Sequence, residues 1–327
     1  MKISNKSITR VLMIVSAAIV SVTSTASAQI FYVTSGNQGG INRFNSAGTN
    51  TGNLISYGAG INVQGIAVDS GGTVFASVTQ SGTTTIRSIT AAGSSSTFTT
   101  LTNGVNGLEF SSGGSLYGVR AGGGPSGGND VGIYTVGGFT AITLTTSPFA
   151  PFFSAQSVRF DNNGDMYVAN GGSGGVYANS IVKLTASGVN WAVASTIDTA
   201  GFAAYDMAFD NLNNLYVSSA TSSAPVPIRK YSSAGVLDNT FAVSGGSFGT
   251  PRGLVFANGS LYEADLGTNR VNQINPSTGV ASIFGVPTNF NLTYIAYTAV
   301  PEPSSVALLS LGAVMSVLAR RKRKQVA

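Results

Sequence analysis

The side chains able to do chemistry in this chain are few and of one kind. It contains no His and no Cys, which excludes an imidazole base, a thiol nucleophile, a disulfide and any Cys- or His-ligated metal centre. What remains is carboxylate chemistry. Glu109 in "GLEFS" and Asp206 in "DMAFD" occupy matching segments, and the amides Gln64, Asn106 and Gln156 stand at or just ahead of equivalent ones. Oxygen ligands of this kind suit a hard divalent cation. Arg159 and Arg252 share the register, however, and would repel a cation there. No metal or other cofactor is therefore expected, Glu109 and Asp206 being the only candidate ligands. Glu109 is expected to pair with Arg159 instead.

Two other motifs carry little. "DNNGD" (Asp161–Asp165) has the look of a calcium loop but is too short and lacks the distal Glu. "DSGG" and "DNLNN" stand at equivalent places, so Asx-turn chemistry accounts for all three. The Gly-rich stretches Ala121–Asp130 and Asn170–Asn179 follow strands without leading into helices, and read as long surface loops rather than phosphate cradles.

These residues are placed by a repeat. An apolar residue followed by Phe or Tyr recurs in "QIFYVTS", "GTVFASV", "GSLYGVR", "GDMYVAN", "NNLYVSS" and "GSLYEAD", with Tyr32, Phe75, Tyr117, Tyr167, Tyr216 and Tyr262 spaced by 43, 42, 50, 49 and 46 residues. About ten residues before each of the last five aromatics lies an alternating segment ("GIAVD", "GLEFS", "SVRFD", "DMAFD", "GLVFA"), and after each aromatic comes a third segment ending near a Gly turn. Period-two alternation bounded by Gly, Asn and Ser predicts strands, and the spacing is that of one four-stranded propeller blade. The first unit lacks its leading strand. "LTYIAYT" (Leu292–Thr298) supplies a copy at the far end, which would close a ring. The expected fold is all-β: a six-bladed β-propeller of four-stranded antiparallel blades over 29–299, closed by strand 292–298. A β-solenoid, the alternative, has no use for a split unit. The repeated Phe/Tyr is expected to pack between blades.

Both ends read as addresses. Lys2, Lys6 and Arg10 precede an apolar stretch, and Ala26 and Ala28 form a small-residue cleavage site before Gln29. Residues 1–28 are thus expected to be a secretory signal helix, handled by the Sec translocon and signal peptidase. Residues 300–327 hold a proline breaker, an apolar segment to Ala319 and a basic cluster. As a helix, Ser305–Ala319 would span about 22 Å, a short transmembrane helix against a hydrocarbon core of about 30 Å. The ends also own the charge. They hold 8 of the 17 Lys and Arg, leaving 9 against 11 acidic residues and a body of net −2 within a chain of net +5. No nucleic-acid partner is expected.

Two resemblances follow from these residues. "PRGLVFANGSLYEADLGTNRVNQINPSTG" resembles an NHL-type blade through Pro251, Gly253, Leu261, Tyr262, Asp265, Gly267, Asn269 and Arg270. That likeness implies a structural, turn-bracing role for Asp265 and Arg270. The tail resembles the PEP-CTERM sorting signal of exported bacterial proteins, with Val300, Pro301, Glu302, Pro303 and Ser304 as the motif and Arg320, Arg321, Lys322 and Arg323 as the basic end. It implies transient anchoring in the inner membrane, processing by an exosortase-type transpeptidase near Pro301–Pro303, and a final place at the cell surface or outside the cell. A plain tail anchor would keep the Arg320–Lys324 peptide.

Within the body, Gln64, Asn106, Gln156, Tyr205 and Arg252 form an expected ligand face at the starts of the first strands. This amide-rich ring is suited to a glycan or a surface protein, although polar residues could equally cap a channel mouth in water. Function is read as a non-catalytic binding module associated with exopolysaccharide or surface partners. The alternative is a metal-dependent lactonase or hydrolase of the six-bladed type.

Overall fold

The computed structural model describes residues 28–121, 130–144, 154–172, 177, 179–188, 190–199, 201–219 and 226–300. The expected signal helix and cleavage residue Ala26, the transmembrane helix, Pro301–Ser304, Arg320–Arg323, most of Ala121–Asp130 and half of Asn170–Asn179 lie outside these residues. Among the described residues no helix is long and apolar enough to cross a membrane. Ile30–Thr298 forms one compact unit.

Alternating segments become strands in the expected order. The first sheet holds β1 (Ala28–Ser35), β2 (Gly40–Asn45) and β3 (Asn50–Ser56); the second β4 (Asn62–Val68), β5 (Val74–Gln80), β6 (Thr83–Ile89) and β7 (Ser95–Leu101). The third holds β8 (Val105–Phe110), β9 (Leu116–Arg120), β10 (Asp130–Thr135) and β11 (Gly138–Ala141). In the fourth are β12 (Ala155–Phe160), β13 (Met166–Asn170), β14 (Ser180–Ser187) and β15 (Asn190–Asp198). The fifth has β16 (Ala204–Phe209), β17 (Leu215–Ser219) and β18 (Ile228–Tyr231). The sixth has β20 (Pro251–Ala257), β21 (Ser260–Asp265), β22 (Arg270–Ile274) and β23 (Val280–Gly285), with the two-residue β19 (Ser244–Gly245) on its outer edge. The last strand, β24 (Leu292–Val300), lies beside β1 as the inner strand of the first blade. The ring closes as the split repeat requires. Thr293 and Thr34 share a hydrogen bond of 2.8 Å across the seam, and the Tyr294 amide donates to Thr34 Oγ1 at 3.0 Å.

Six hydrophobic clusters of the described residues fall one to each interface between neighbouring blades. Five of the repeated aromatics, Tyr32, Tyr117, Tyr167, Tyr216 and Tyr262, are buried and Phe75 is half-buried. Each packs towards the following blade, as in the edge-to-face pairs Phe75–Phe110 (5.2 Å) and Tyr117–Phe160 (5.1 Å). Leu108 of β8 shares a cluster with Ala67 of β4, so a bulky residue of one blade meets a small one of its neighbour.

Two details differ from the four-stranded expectation. The fifth blade has only three strands among the described residues, because "GVLDNTFAV" lacks alternation. Asp238 Oδ1 accepts from Thr240 N (3.0 Å) and Oγ1 (2.6 Å), a local turn that competes with strand pairing, while Phe241 is buried in the core of the fifth and sixth blades. The segment then crosses to pair in parallel with β23 through Ser244 and Gly245. In the third blade the outer strand is only the four residues Gly138–Ala141.

Candidate functional site

Five inner strands break register with their neighbours at one height. The breaks lie between Val63 and Ile66, Val105 and Leu108, Ala155 and Ser157, Ala204 and Met207, and Pro251 and Gly253. Gln64, Asn106, Gln156, Tyr205 and Arg252, the expected ligand face, all fall within them. A bulge leaves its residue without a cross-strand partner and re-aims the side chain. Close approach explains the neighbouring small residues. A Cβ on Gly65 would lie 2.0 Å from the Asn106 carbonyl, and one on Gly253 would lie 2.6 Å from Tyr294 Cα. At this height neighbouring inner strands touch.

Gln64, Asn106, Gln156 and Arg252 are half-exposed, but Tyr205 is buried. Its ring stacks on Tyr294 with centroids 5.3 Å apart, and the Arg252 guanidinium lies over it, 4.1 Å from the ring centroid. The Tyr294 hydroxyl donates to the Gln156 carbonyl at 2.8 Å, from the first blade to the fourth, directly across the channel. Tyr294 therefore plugs the axis. Burial pushes both phenols up, Tyr294 well above its ordinary value. Sequence reasoning missed Tyr294, although one signal was available: it occupies the position held by Gly65, Gly107, Ser157, Asp206 and Gly253 in the other inner strands.

Beneath the plug, Arg159 joins three successive blades. Its Nη2 lies 2.7 Å from Asp206 Oδ2 and its Nη1 3.1 Å from Glu109 Oε2, while N–H groups also reach the carbonyls of Leu108 (2.9 Å) and Met207 (3.0 Å). The expected Glu109–Arg159 pair is present, and Asp206 joins it. Asp206 is fully buried and accepts from the amides of Met207 (2.8 Å) and Leu254 (3.0 Å) as well. Confinement in the channel raises both carboxyls while Arg159 draws them back down; Asp206 in turn adds to the rise at Glu109. The pair does not fit a divalent ion, since a guanidinium already bridges them. Among the described residues no group of three His, Cys, Asp or Glu could hold a metal.

The turn carboxylates behave as Asx caps. Asp161 Oδ1 accepts from the amides of Asn163 and Asp165, Asp69 Oδ1 from Gly71 and Thr73, and Asp210 Oδ1 from Leu212 and Asn214, at 2.8–3.0 Å. Lys183 neutralises the "DNNGD" turn, with Nζ 2.9 Å from Asp165. Asp265 braces the entry to the sixth blade, accepting from the amides of Gly249 (2.8 Å), Thr250 and Thr268 (2.7 Å). Arg270 sits opposite it in register. Glu263, buried in the same blade, accepts from Asn272 Nδ2 at 2.8 Å and pairs with no cation among the described residues. Burial first, and Asp265 second, push its carboxyl well above the usual range. A carboxyl raised in the folded state stabilises at low pH, and that contribution is lost as pH rises above its unfolded value. The melting temperature is therefore expected to fall as pH rises above about 5. In Glu263→Gln the fall should shrink by about 2–4 °C, the effect of about 1 kcal/mol in a chain of this size. Parallel pH slopes in scanning calorimetry would contradict this.

Comparison with known proteins bears on the C-terminal tail and on the fold. Residues 299–324 match the PEP-CTERM protein-sorting motif. This chain is an exported β-propeller with a C-terminal membrane-anchor region, and the motif implies secretion machinery and exosortase-type processing. No curated protein matches the chain. Among solved structures, a chain of a nidogen/laminin complex superposes with TM-score 0.62 at 14% identity, over 82% of this chain and 98% of that one. A gluconolactonase from Xanthomonas campestris gives 0.53 at 15%, over 71% and 78%. A catalytically inactive virginiamycin B lyase from Staphylococcus aureus, crystallised with quinupristin, gives 0.50 at 18%, over 73% and 78%. At such identities the likeness concerns the fold.

Proposed function

We propose that the released propeller is a non-catalytic binding module at the cell surface or in the extracellular matrix. It takes hydroxylated ligands, exopolysaccharide foremost, at the mouth formed by Gln64, Asn106, Gln156 and Arg252. The observation that carries this reading is the bulge repeated at one height in five inner strands. It leaves three amides and a guanidinium half-exposed around a plugged axis. Amide groups donate and accept together, which suits sugar hydroxyls. The two carboxylates that lactonase chemistry would need are tied to Arg159, which favours binding over metal-dependent hydrolysis. Co-sedimentation with the producing bacterium's own polysaccharide tests the reading. Gln156→Ala/Arg252→Ala should weaken retention by about tenfold, as for loss of two polar contacts. No retention of the wild type, or hydrolysis of lactones that depends on a stoichiometric divalent ion, would refute it.

A further inference from the structure

The channel opens again at the ends of the inner strands, away from the bulges. A cavity of about 180 Å³ lies there, lined by all six inner strands. One repeated position contributes Val68, Phe110, Phe160, Phe209, Phe256 and Tyr297 to its lining, five of them aromatic and all half-buried, beside mostly small residues of the position before it. Several of these rings are held from behind. Phe110 packs edge-on to Phe75, Phe160 to Tyr117, and Phe209 against Tyr167 at 4.7 Å. Such rings are fixed by the core and need no ordering on binding.

Glu109 and Arg159 also line this cavity. The two carboxylates and one guanidinium make a formal net charge of −1, and the geometry decides which acid is left over. Asp206 takes the shorter contact to Arg159 and two backbone amides, and is fully buried. Glu109 has the longer contact, through Oε2, and its side chain is 36% exposed. Its Oε1 accepts no hydrogen bond from the described residues. A carboxylate oxygen within an aromatic wall is a complementary setting for a positive organic group, because ring faces and carboxylate attract the same charge.

We propose that this cavity binds a small organic ammonium ion, its cationic head held by the aromatic wall and by Glu109. The volume admits a head group with a short arm, not a polymer, so this site is separate from the polar mouth and its ligand is of another class. Choline serves as the probe, and 3,3-dimethyl-1-butanol as its uncharged equivalent of the same shape. Titration calorimetry of the purified chain should give saturable choline binding about tenfold tighter than the alcohol, a difference in the range of a desolvated cation–π contact. Glu109→Gln should bring choline down to the level of the alcohol. Arg159 keeps Asp206 in that variant, so its melting temperature checks folding. Phe160→Leu, which retains apolar bulk, should weaken choline several-fold and leave the alcohol unchanged. Gln156→Ala/Arg252→Ala should leave choline binding intact, which separates this site from the mouth. Equal binding of choline and the alcohol, or binding of neither, would overturn the proposal.

Discussion

Replacing Arg159 with Met should destabilise the propeller by about 3–5 kcal/mol, the usual cost of leaving buried charges unpartnered. One guanidinium holds Asp206, Glu109 and two backbone carbonyls from three blades, so its loss strands acceptors on both sides. The deficit should depend on pH with a definite sign. Arg159 is the group that draws both carboxyls down; without it their folded-state values rise further above the unfolded ones. A raised carboxyl weakens the fold above the unfolded value and ceases to do so once both states are protonated. The deficit should therefore be largest near neutrality and shrink towards about pH 4. Guanidinium unfolding at the two pH values measures it. Arg159→Met/Glu109→Gln/Asp206→Asn should recover part of the loss, since neutral groups cost less to bury than charges. Equal stability of Arg159→Met and wild type at neutral pH would show that the triad contributes nothing.

That triad marks how far the sequence was legible. Pairing of Glu109 with Arg159 followed from their shared register in neighbouring repeats. The contact to Asp206 did not, because reading strands pairwise hides a side chain that reaches both neighbours from the axis. Strand order and closure were legible because they rest on period-two alternation and on one missing strand, and physical packing enforces both. The outer strand of the fifth blade was not, since Asp238 satisfies its local backbone better than a ladder would. Tyr294 was overlooked for a related reason. Its neighbours in "LTYIAYT" match the repeat and suffice to define the strand, while the residue that departs from it fills the channel. The polar ring was found by position alone, and its meaning came from the register breaks, which no sequence pattern announces.

Closure of the ring and processing of the tail meet within a few residues, and this constrains where the chain can be cut. Leu292, Tyr294 and Ile295 are almost wholly buried in β24, and burial of each such side chain contributes roughly 1.5–3 kcal/mol. Their sum approaches the whole stability of an ordinary domain, about 5–15 kcal/mol, before the lost pairing with β1 is counted. A chain ending at Asn291 should therefore fail to fold cooperatively, with a molten or aggregated product in calorimetry and near-ultraviolet circular dichroism. A chain ending at Pro303 should melt within about 2 °C of the full-length body, since surface changes outside the core cost little. If the Asn291 chain melts like the Pro303 chain, the closing strand is dispensable and the split-blade account fails. The same numbers bear on export. Processing upstream of Thr298 would remove part of the strand that seals the propeller, so the mature C-terminus found by mass spectrometry should lie at Val300 or beyond. In sequence Pro301 and Pro303 come directly after the last strand residue, Val300, and a proline has no N–H to give to a ladder.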